Sequence, residues 1–446
     1  MEGKEYKLTK SRDLFNKANN FLPGGVNGNI KFRNPFPIFL SRAKGSHIWD
    51  VDNNEYIDYN LSYGTLILGH SHPAIVNALK DAIGNYGTLL FGNPNVSEIE
   101  FSQLLLNIYY KNGKIRFTNS GTEATLLAVR LGIAYTGKRK VGKFDGHYHG
   151  ANPLLLSNYR PTKEMDRNKK IVKEADSMEI KGDLLDNIVV LPFNDIDGTK
   201  ELLEKEDIGT VILEPFEDGY IPADRDFMHF LRNYTKEHGI VLIFDEVKTG
   251  FRIKIGGAEE YYSVEPDLIC LGKIIGGGTP IGAVLGKTEI LDLLDPRRES
   301  DERVFHSGTF NGNPISMSLG IATVNELMSE NNFSKIQKLS NELRNRVSGV
   351  LDEFAIPHRM YGEGGIVNYT LSGNKIRTYS DISRENMEKK KKIDSLLLRE
   401  GIYLVPGSRF STSLAHSYLD IDKTVDSLRT AIRELSTEFV TYSSGR

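Results

Sequence analysis

Short apolar runs alternate with amphipathic stretches over the middle of the chain, from about residue 97 to residue 325. The apolar runs are typical of buried strands, and the stretches between them, such as residues 123–135 and 227–238, have helical periodicity. This alternation predicts an α/β domain with a mostly parallel sheet and helices on both faces. The predicted strands are residues 114–118, 187–191, 210–214, 240–245, 268–270 and 282–285.

The two ends of the chain have a different pattern. Before residue 75 the sequence predicts a hairpin over residues 46–59, and Pro73 then opens a helix. After residue 325 it predicts a smaller α+β domain. We therefore expect an N-terminal segment (1–75) that joins the small domain and dimer contacts, a large domain (76–325) and a C-terminal small domain (326–446). The C-terminal elements are a long helical region over 322–354, the strand GIVNYTLS, a charged helix over Arg384–Arg399, the strand GIYLVP and a last helix over 421–439.

Composition and charge limit the function classes. Hydrophobic residues make up 39% and charged residues 26% of the 446 positions, which is ordinary for a soluble globular protein. A net charge of -3 gives no basic excess for nucleic acid, and the lysine-rich stretches 138–140 and 389–392 indicate solvated helix faces. No run approaches the ~20 apolar residues of a membrane helix, and the N-terminus lacks the apolar core of a signal peptide. We expect a cytoplasmic protein that binds neither nucleic acid nor membrane.

Metal and disulfide chemistry have weak support. Cys270 is the only cysteine, which excludes a disulfide within the chain and argues against a cysteine-based zinc site. The histidine pairs His70/His72 and His147/His149 could bind a metal from one face of a strand, but no cluster of further ligands accompanies them. We interpret them as ordinary hydrogen-bonding histidines and expect no metal.

The first motif with chemical meaning is RFTNSGTEATLLAVRLG, from Arg116 to Gly132. A short strand ends there, a small polar turn with Ser120, Gly121 and Thr122 follows, and a helix begins. Free backbone N–H groups and the positive end of the helix dipole make such a turn a good seat for phosphate. Taken alone, the turn is better explained as a plain helix cap, because such capping turns are common.

The second motif is IVLIFDEVKTGFR, from Ile240 to Arg252. Its apolar run ends at Asp245, and the carboxyl ends of parallel strands are where such sheets bind ligands. A carboxylate there can hold the protonated nitrogen of an aromatic ring and raise the pKa of that nitrogen. Helix capping, a structural salt bridge or a metal carboxylate would explain the residue as well.

The third motif is PDLICLGKIIGGGTPIGAVLG, from Pro266 to Gly286. An apolar run ends at Lys273, and three successive glycines follow closely. Apolar surroundings disfavour a charged amine, so its pKa falls and it forms a Schiff base more readily. The alternative is a surface lysine beside a flexible loop.

Together the three motifs supply an anion seat, a carboxylate for a ring nitrogen and a nucleophilic amine. Each lies at the end of a predicted strand within one α/β unit. Pyridoxal 5′-phosphate (PLP) requires this combination, because its phosphate, its pyridine nitrogen and its aldehyde each need a partner. We therefore expect a PLP enzyme with Lys273 as Schiff-base lysine and proton carrier, and Asp245 as the partner of the ring nitrogen.

The motifs also resemble those of a known family. NSGTEA, KFDGHYHG, LEP, FDEVKTGFR, LGKIIGGG and HSGTFNGNP are similar to class-III PLP-dependent aminotransferases. FLPGGVN, AKGSHIWDVDNNEYIDY and LGHSHP resemble the glutamate-1-semialdehyde 2,1-aminomutase branch. The resemblance implies fold-type I and a homodimer with active sites at the subunit interface. It implies further cofactor contacts from the phosphate turn named above and from Tyr148, Val247, Glu214 and, toward the neighbouring subunit, Thr309.

The substrate is less well defined by the sequence. Where the aminomutases usually carry a serine and then an arginine three residues later, this chain has Gly28 and Lys31. Arg409, in PGSRFSTSLAHS, could clamp a substrate carboxylate through two hydrogen bonds, or be an ordinary surface arginine. An aminomutase-like activity on a small amino substrate is the main prediction. The alternatives are a transaminase of another amino acid or carboxylated amine, including β-amino acids, a racemase on the same scaffold, and a non-catalytic binding or regulatory module.

Overall fold

The computed structural model describes residues 7–159, 171–329 and 331–443. The N-terminal part begins with a helix and a small antiparallel sheet, in which β2 and β3 form the predicted hairpin. Its helices are α1 (Thr9–Ala18), α2 (Leu61–Gly64), α3 (Pro73–Tyr86) and α4 (Val96–Tyr109), and its strands are β1 (Leu40–Lys44), β2 (His47–Asp50) and β3 (Glu55–Asp58).

The central part contains the large sheet and its helices, as the alternating pattern predicts. Its strands are β4 (Lys114–Thr118), β5 (Lys140–Phe144), β6 (Ile188–Leu191), β7 (Ile208–Leu213), β8 (Phe216–Glu217), β9 (Ile221–Pro222), β10 (Val241–Asp245), β11 (Leu268–Gly272) and β12 (Gly282–Gly286). Its helices are α5 (Gly121–Thr136), α6 (Asp183–Asp186), α7 (Ile196–Lys205), α8 (Arg225–Glu237), α9 (Gly257–Tyr262) and α10 (Thr288–Leu291).

The large sheet has seven strands in the order β4-β12-β11-β10-β7-β5-β6. β12 is antiparallel to both of its neighbours, and the pairs on the other side of β11 are parallel. Most of its strands are buried on both faces, which explains their largely apolar sequences, whereas the edge strand β4 is exposed at its start. The carboxyl ends of β4, β5, β7, β10 and β11 therefore lie along one edge of the sheet, where ligands bind in such folds.

Strand β5 is an element that the sequence pattern did not predict. Lysines and a glycine interrupt its apolar residues, and residues 138–140 are not the solvated helix face that we expected, since Lys140 begins the strand. Lys143 is buried in the strand and its Nζ donates a hydrogen bond to the carbonyl oxygen of His147 at 2.9 Å. Because this lysine is buried and bonded to backbone carbonyls, the strand contains a charged residue and does not have the apolar run by which buried strands are predicted.

The C-terminal part is helical with a small sheet. The long helical region expected over 322–354 is two helices, α11 and α12, separated near Asn331, whose φ of 69° is left-handed. The elements are α11 (Pro314–Met328), α12 (Asn332–Glu353), β13 (Arg359–Tyr361), β14 (Ile366–Thr370), α13 (Arg384–Arg399), β15 (Ile402–Tyr403), β16 (Phe410–Ser411) and α14 (Tyr418–Ser443).

The two ends of the chain meet in one structural unit. β15 pairs in parallel with β3, and Ile57 joins the apolar cluster formed by α12, α13 and α14. The predicted fold class, a large α/β domain with a smaller α+β domain built from both chain ends, is confirmed. The exact domain boundaries stay a prediction. Across the described ranges, no helix is both long enough and apolar enough to cross a membrane.

Helix α13 corrects a second expectation about lysines. Residues 389–392 lie on this helix, but they do not all face solvent. Lys390 is buried and its Nζ lies 2.8 Å from Oδ2 of the buried Asp394. The lysine-rich stretch therefore contributes to the interior of the small domain as well as to its surface.

Candidate active site

A cavity of about 400 Å³ opens at the carboxyl edge of the large sheet. Residues from β10, β11, the start of α5 and the loops after β5 and β7 line it, so segments far apart in sequence meet there. Most of the predicted site residues are in its lining, namely Ser120, Gly121, Thr122, Tyr148, Glu214, Asp245, Val247 and Lys273.

One end of the cavity is the start of helix α5. Ser120 is the N-cap residue, and its Oγ accepts a hydrogen bond from the N–H of Glu123 at 3.2 Å. The N–H groups of Gly121 and Thr122 belong to the first turn and have no acceptor within the helix. The helix cap is therefore observed, and the role of the same turn as a seat for phosphate stays a prediction.

Gly121 allows a close approach between this helix and β10. A Cβ at Gly121 would lie 2.7 Å from Cγ1 of Val247, which is closer than any side chain tolerates. Val247 therefore packs directly on the backbone of the turn that begins α5. This contact fixes the spacing between the turn and the end of β10.

Asp245 ends strand β10 and is almost completely buried at 4% exposure. Its Oδ2 lies 2.8 Å from Nδ1 of His149, and its Oδ1 accepts a hydrogen bond from the N–H of Val247 at 3.1 Å. His149 is itself held by Thr125 of α5, whose Oγ1 donates to its carbonyl oxygen at 2.7 Å. The carboxylate is thus held in a fixed position at the cavity wall.

Lys273 follows strand β11 directly and has a φ of 49°, a left-handed conformation that is rare for residues other than glycine. Such strained residues cluster at functional sites. Burial lowers the pKa of its amine to about 7, and the positive charge of Lys248 adds to the effect. The amine therefore carries a substantial uncharged, nucleophilic fraction near neutral pH.

Glu214, after β7, connects Tyr148 to a cation that the sequence analysis did not single out. Its Oε2 accepts a hydrogen bond from the N–H of Tyr148 at 2.8 Å, and its Oε1 lies 2.6 Å from Nζ of Lys248. Lys248 lines the cavity and also approaches Oδ1 of Asp218 at 3.3 Å. In the sequence, only its position three residues after Asp245 could have indicated that Lys248 belongs to the site. A lysine in a polar turn is usually a surface residue, so this position was not enough.

The sequence also indicated no role for His149 at the site. The sequence predicted ordinary hydrogen bonding for the two histidine pairs, and the structure gives both members of the second pair buried positions. Nδ1 of His147 accepts a hydrogen bond from the N–H of Glu214 at 2.9 Å, while His149 contacts Asp245 as described above. Both bonds involve residues at the cavity, which the spacing of two histidines alone cannot indicate.

Three predicted site residues lie outside this cavity lining. Nη1 of Arg409 donates to the carbonyl oxygen of Asp218 at 2.8 Å, so Arg409 is connected to the cavity through the residue that also contacts Lys248. Thr309 is exposed and lines a separate cavity of about 550 Å³. Lys31 is exposed in a short helical turn of the N-terminal segment.

The fold and the site define an α/β enzyme in which a half-buried lysine, a buried carboxylate and the start of a helix line one cavity. Residues 30–432 match the family model described as Aminotransferase class-III. The chain belongs to the class-III aminotransferase family, as its motifs predict, and is an enzyme of amino-group transfer.

Individual relatives cover nearly the whole chain. A glutamate-1-semialdehyde 2,1-aminomutase of Thermodesulfovibrio yellowstonii is 40% identical over 440 residues, which cover 96% of this chain and 100% of that protein. An omega-transaminase structure from Sphaerobacter thermophilus has a TM-score of 0.91 and 33% identity, covering 95% of this chain and 97% of that one. A transaminase structure with PLP bound has a TM-score of 0.87 and 29% identity, covering 97% and 99%. The similar proteins thus include both aminomutases and transaminases.

Proposed function

We propose that this chain binds PLP in the cavity at the carboxyl edge of the sheet and moves amino groups with it. The observation that carries the proposal is the convergence of three groups in one cavity: the amine of Lys273, the carboxylate of Asp245 and the start of α5. The residues fit the cofactor, because the helix start offers backbone donors for a phosphate and the buried carboxylate offers a partner for a ring nitrogen. Gly121 lets Val247 pack closely against the turn, because a Cβ at this position would lie 2.7 Å from Cγ1 of Val247.

Each residue has a distinct role in this proposal. Ser120, Gly121 and Thr122 hold the phosphate, Val247 and Tyr148 pack on the two faces of the ring, and Glu214 positions Tyr148 through its backbone N–H. Bound PLP supplies an aldehyde that bonds to amines and a ring that takes up negative charge from the neighbouring carbon.

The reaction needs a proton to move between two carbon atoms, and we assign this transfer to Lys273. An amine whose pKa is about 7 can both accept and donate a proton at neutral pH. Asp245, fixed by His149, keeps a proton on the ring nitrogen by charge pairing.

For the substrate we propose glutamate-1-semialdehyde first, since a relative with 40% identity over nearly the whole chain carries that name. The second candidate is a transaminase reaction on another carboxylated amine, including a β-amino acid. It is favoured by the similarity to an omega-transaminase and by Arg409, whose side chain is 11% exposed and contacts Asp218, a partner of the cavity residue Lys248. Lys31 and Arg409 are our candidates for binding the substrate carboxylate. A racemase would use the same lysine, and chiral analysis of the product separates it from both.

The central test replaces Lys273 with alanine. The purified wild-type protein should be yellow and lose colour on addition of an amine donor, whereas Lys273→Ala should have neither this absorption nor turnover. Wild-type protein is then assayed for isomerisation of glutamate-1-semialdehyde and, with a keto acid acceptor, against a panel of amine donors. Undiminished turnover and colour in Lys273→Ala would contradict the assignment. A wild-type protein that binds no PLP would favour the binding or regulatory module.

We also propose that two copies of the chain form a dimer in the cytoplasm and that Thr309 reaches the partner's phosphate site. Two large apolar side chains flank Thr309 and are exposed, Phe305 at 71% and Phe310 at 60%. Exposed apolar residues in a cluster indicate an interaction surface.

Mixing inactive variants tests the shared site. If Thr309 acts on the partner's site, a hybrid of Lys273→Ala and Thr309→Ala subunits has one site with both residues intact. Refolding the two variants together should then restore activity that neither has alone. A dimer in which mixing restores nothing would contradict the assignment of Thr309, and a monomer by sedimentation would contradict the dimer.

A further inference from the structure

Lys248 is a cation in the cavity that the proposed roles leave unexplained. Its Nζ lies 2.6 Å from Oε1 of Glu214 and 3.3 Å from Oδ1 of Asp218. All three side chains are largely buried, with exposures of 12%, 3% and 8%. The ammonium group is therefore held in place by two carboxylates from the segment that follows β7.

Stability alone is a weak reason for such a cluster. Taking three charges out of water is costly, and apolar residues of similar size often stabilise a protein as well or better. An apolar side chain at residue 248 would also avoid the need for the partners Glu214 and Asp218. The cluster therefore points to an electrostatic role at the site.

Lys273 is the group that this charge most directly affects. Both lysines line the same cavity, and a nearby positive charge disfavours the protonation of an amine. Four charged groups face Lys273: Lys248 and Arg409 oppose its protonation, and Asp245 and Glu214 favour it. Lys248 has the largest effect of the four and is second only to burial.

The environment of Lys248 keeps it charged over the whole useful pH range. Glu214 and Asp218 raise its pKa above that of an ordinary lysine, against the opposing effects of burial and Arg409, and the hydroxyl of Tyr159 adds a smaller contribution. The ring of Tyr148 lies 5.7 Å from its Nζ, which suits a cation–π contact. The charge is thus permanent while that of Lys273 varies with pH.

We propose that Lys248 is a positioning residue whose ammonium group, fixed by Glu214 and Asp218, increases the uncharged fraction of the Lys273 amine at neutral pH. This inference rests on the proposed function, in which Lys273 binds PLP. Replacing the charge by an apolar side chain removes the repulsion and leaves the carboxylate of Glu214, which also faces Lys273, without this cation, and both changes favour protonation of Lys273.

The test compares Lys248→Met with Lys248→Arg and with a control, Lys254→Met. Lys254 lies on the same loop, is 43% exposed and pairs with Glu260 at 3.7 Å. In each PLP-loaded protein the visible absorption is titrated with pH. The midpoint should rise by about one pH unit in Lys248→Met, and stay near the wild-type value in Lys248→Arg and Lys254→Met.

A second measurement covers the case in which Lys248→Met holds PLP poorly. The PLP-free proteins are treated with trinitrobenzenesulfonate at a series of pH values, and modification of Lys273 is located by peptide mass. The midpoint of its reactivity should rise in Lys248→Met. Thermal unfolding first shows that Lys248→Met is folded. If the midpoint of Lys273 reactivity is then the same in wild type and Lys248→Met, the inference is overturned. A wild type without PLP absorption would instead count against the proposed function.

Discussion

Nδ1 of His149 lies 2.8 Å from Oδ2 of Asp245, and this contact joins the loop after β5 to the end of β10. An ionised Asp245 accepts the hydrogen bond, so the proton is on Nδ1. Nε2 of the same ring is buried and has no hydrogen-bond partner among the described residues. The ring therefore supports the carboxylate by donating a hydrogen bond from Nδ1.

Replacing His149 should weaken the role that we propose for Asp245. In His149→Ala the carboxylate loses a hydrogen bond to a charged group, a contribution of about 1.5–3 kcal/mol, so kcat should fall by roughly 10- to 100-fold. His149→Asn keeps a donor close to the position of Nδ1 and should recover part of the activity. Steady-state kinetics and PLP affinity are the measurements, and equal kcat values in all three proteins would contradict the role.

The uptake of PLP by the PLP-free protein should depend on pH through Lys273. Because its pKa is lowered to about 7, the amine is mostly protonated below that pH and mostly free above it. The second-order rate of PLP capture should therefore increase across neutral pH and level off about one unit above the midpoint. Stopped-flow absorbance measures it. A rate that still increases above about pH 9 would indicate an ordinary lysine.

Two glycine-to-alanine substitutions should have opposite effects. Gly121→Ala places a Cβ 2.7 Å from Cγ1 of Val247, so the phosphate turn and β10 must separate, which should cost about 1–3 kcal/mol and weaken PLP binding. Gly349, within α12, has no atom within 4 Å of an added Cβ. Gly349→Ala should stabilise the protein by up to about 1 kcal/mol. Thermal unfolding and PLP titration separate the two effects.

The sequence predicted the fold best where burial and secondary structure impose the same pattern. Strands such as β7 and β10 are buried on both faces, so their apolar runs gave nearly correct limits. Strand β5 was missed because Lys143 satisfies its charge inside the protein, through carbonyl oxygens that only the folded loop provides. The break between α11 and α12 depends on the backbone conformation of Asn331 rather than on apolar spacing.

The candidate site shows the same limit. Lys273, Asp245 and Ser120 were predicted because each follows an apolar run at a strand end. Lys248 and His149 were not assigned roles, because their partners come from other strands. Glu214 lies 34 positions before Lys248, and Asp245 lies 96 positions after His149. Spacing in the sequence cannot indicate such contacts.

Arg252 is a fully buried cation that joins three segments of the chain. Its Nη2 donates to the carbonyl oxygen of Gly64 at 2.6 Å, and its Nη1 donates to that of Thr412 at 2.9 Å. Among the described residues no carboxylate forms a salt bridge with it. Burial, together with the charge of Arg409, lowers its pKa to about 9. The hydrogen bonds of Arg252 therefore connect the N-terminal segment and the small domain to the loop that follows Asp245.

Removing this cation should loosen the contact between the two domains. Arg252→Met leaves two buried carbonyl oxygens without donors, at about 1–3 kcal/mol each, so the free energy of unfolding should fall by roughly 2–6 kcal/mol. Arg252→Lys keeps a charge but has no planar group that reaches both carbonyls. Its free energy of unfolding should therefore lie between those of wild type and Arg252→Met. Urea unfolding followed by the fluorescence of the single tryptophan, Trp49 in β2, measures the change. The exposed Arg298→Met serves as control, and an Arg252→Met protein as stable as that control would show that the buried cation does not hold the segments together.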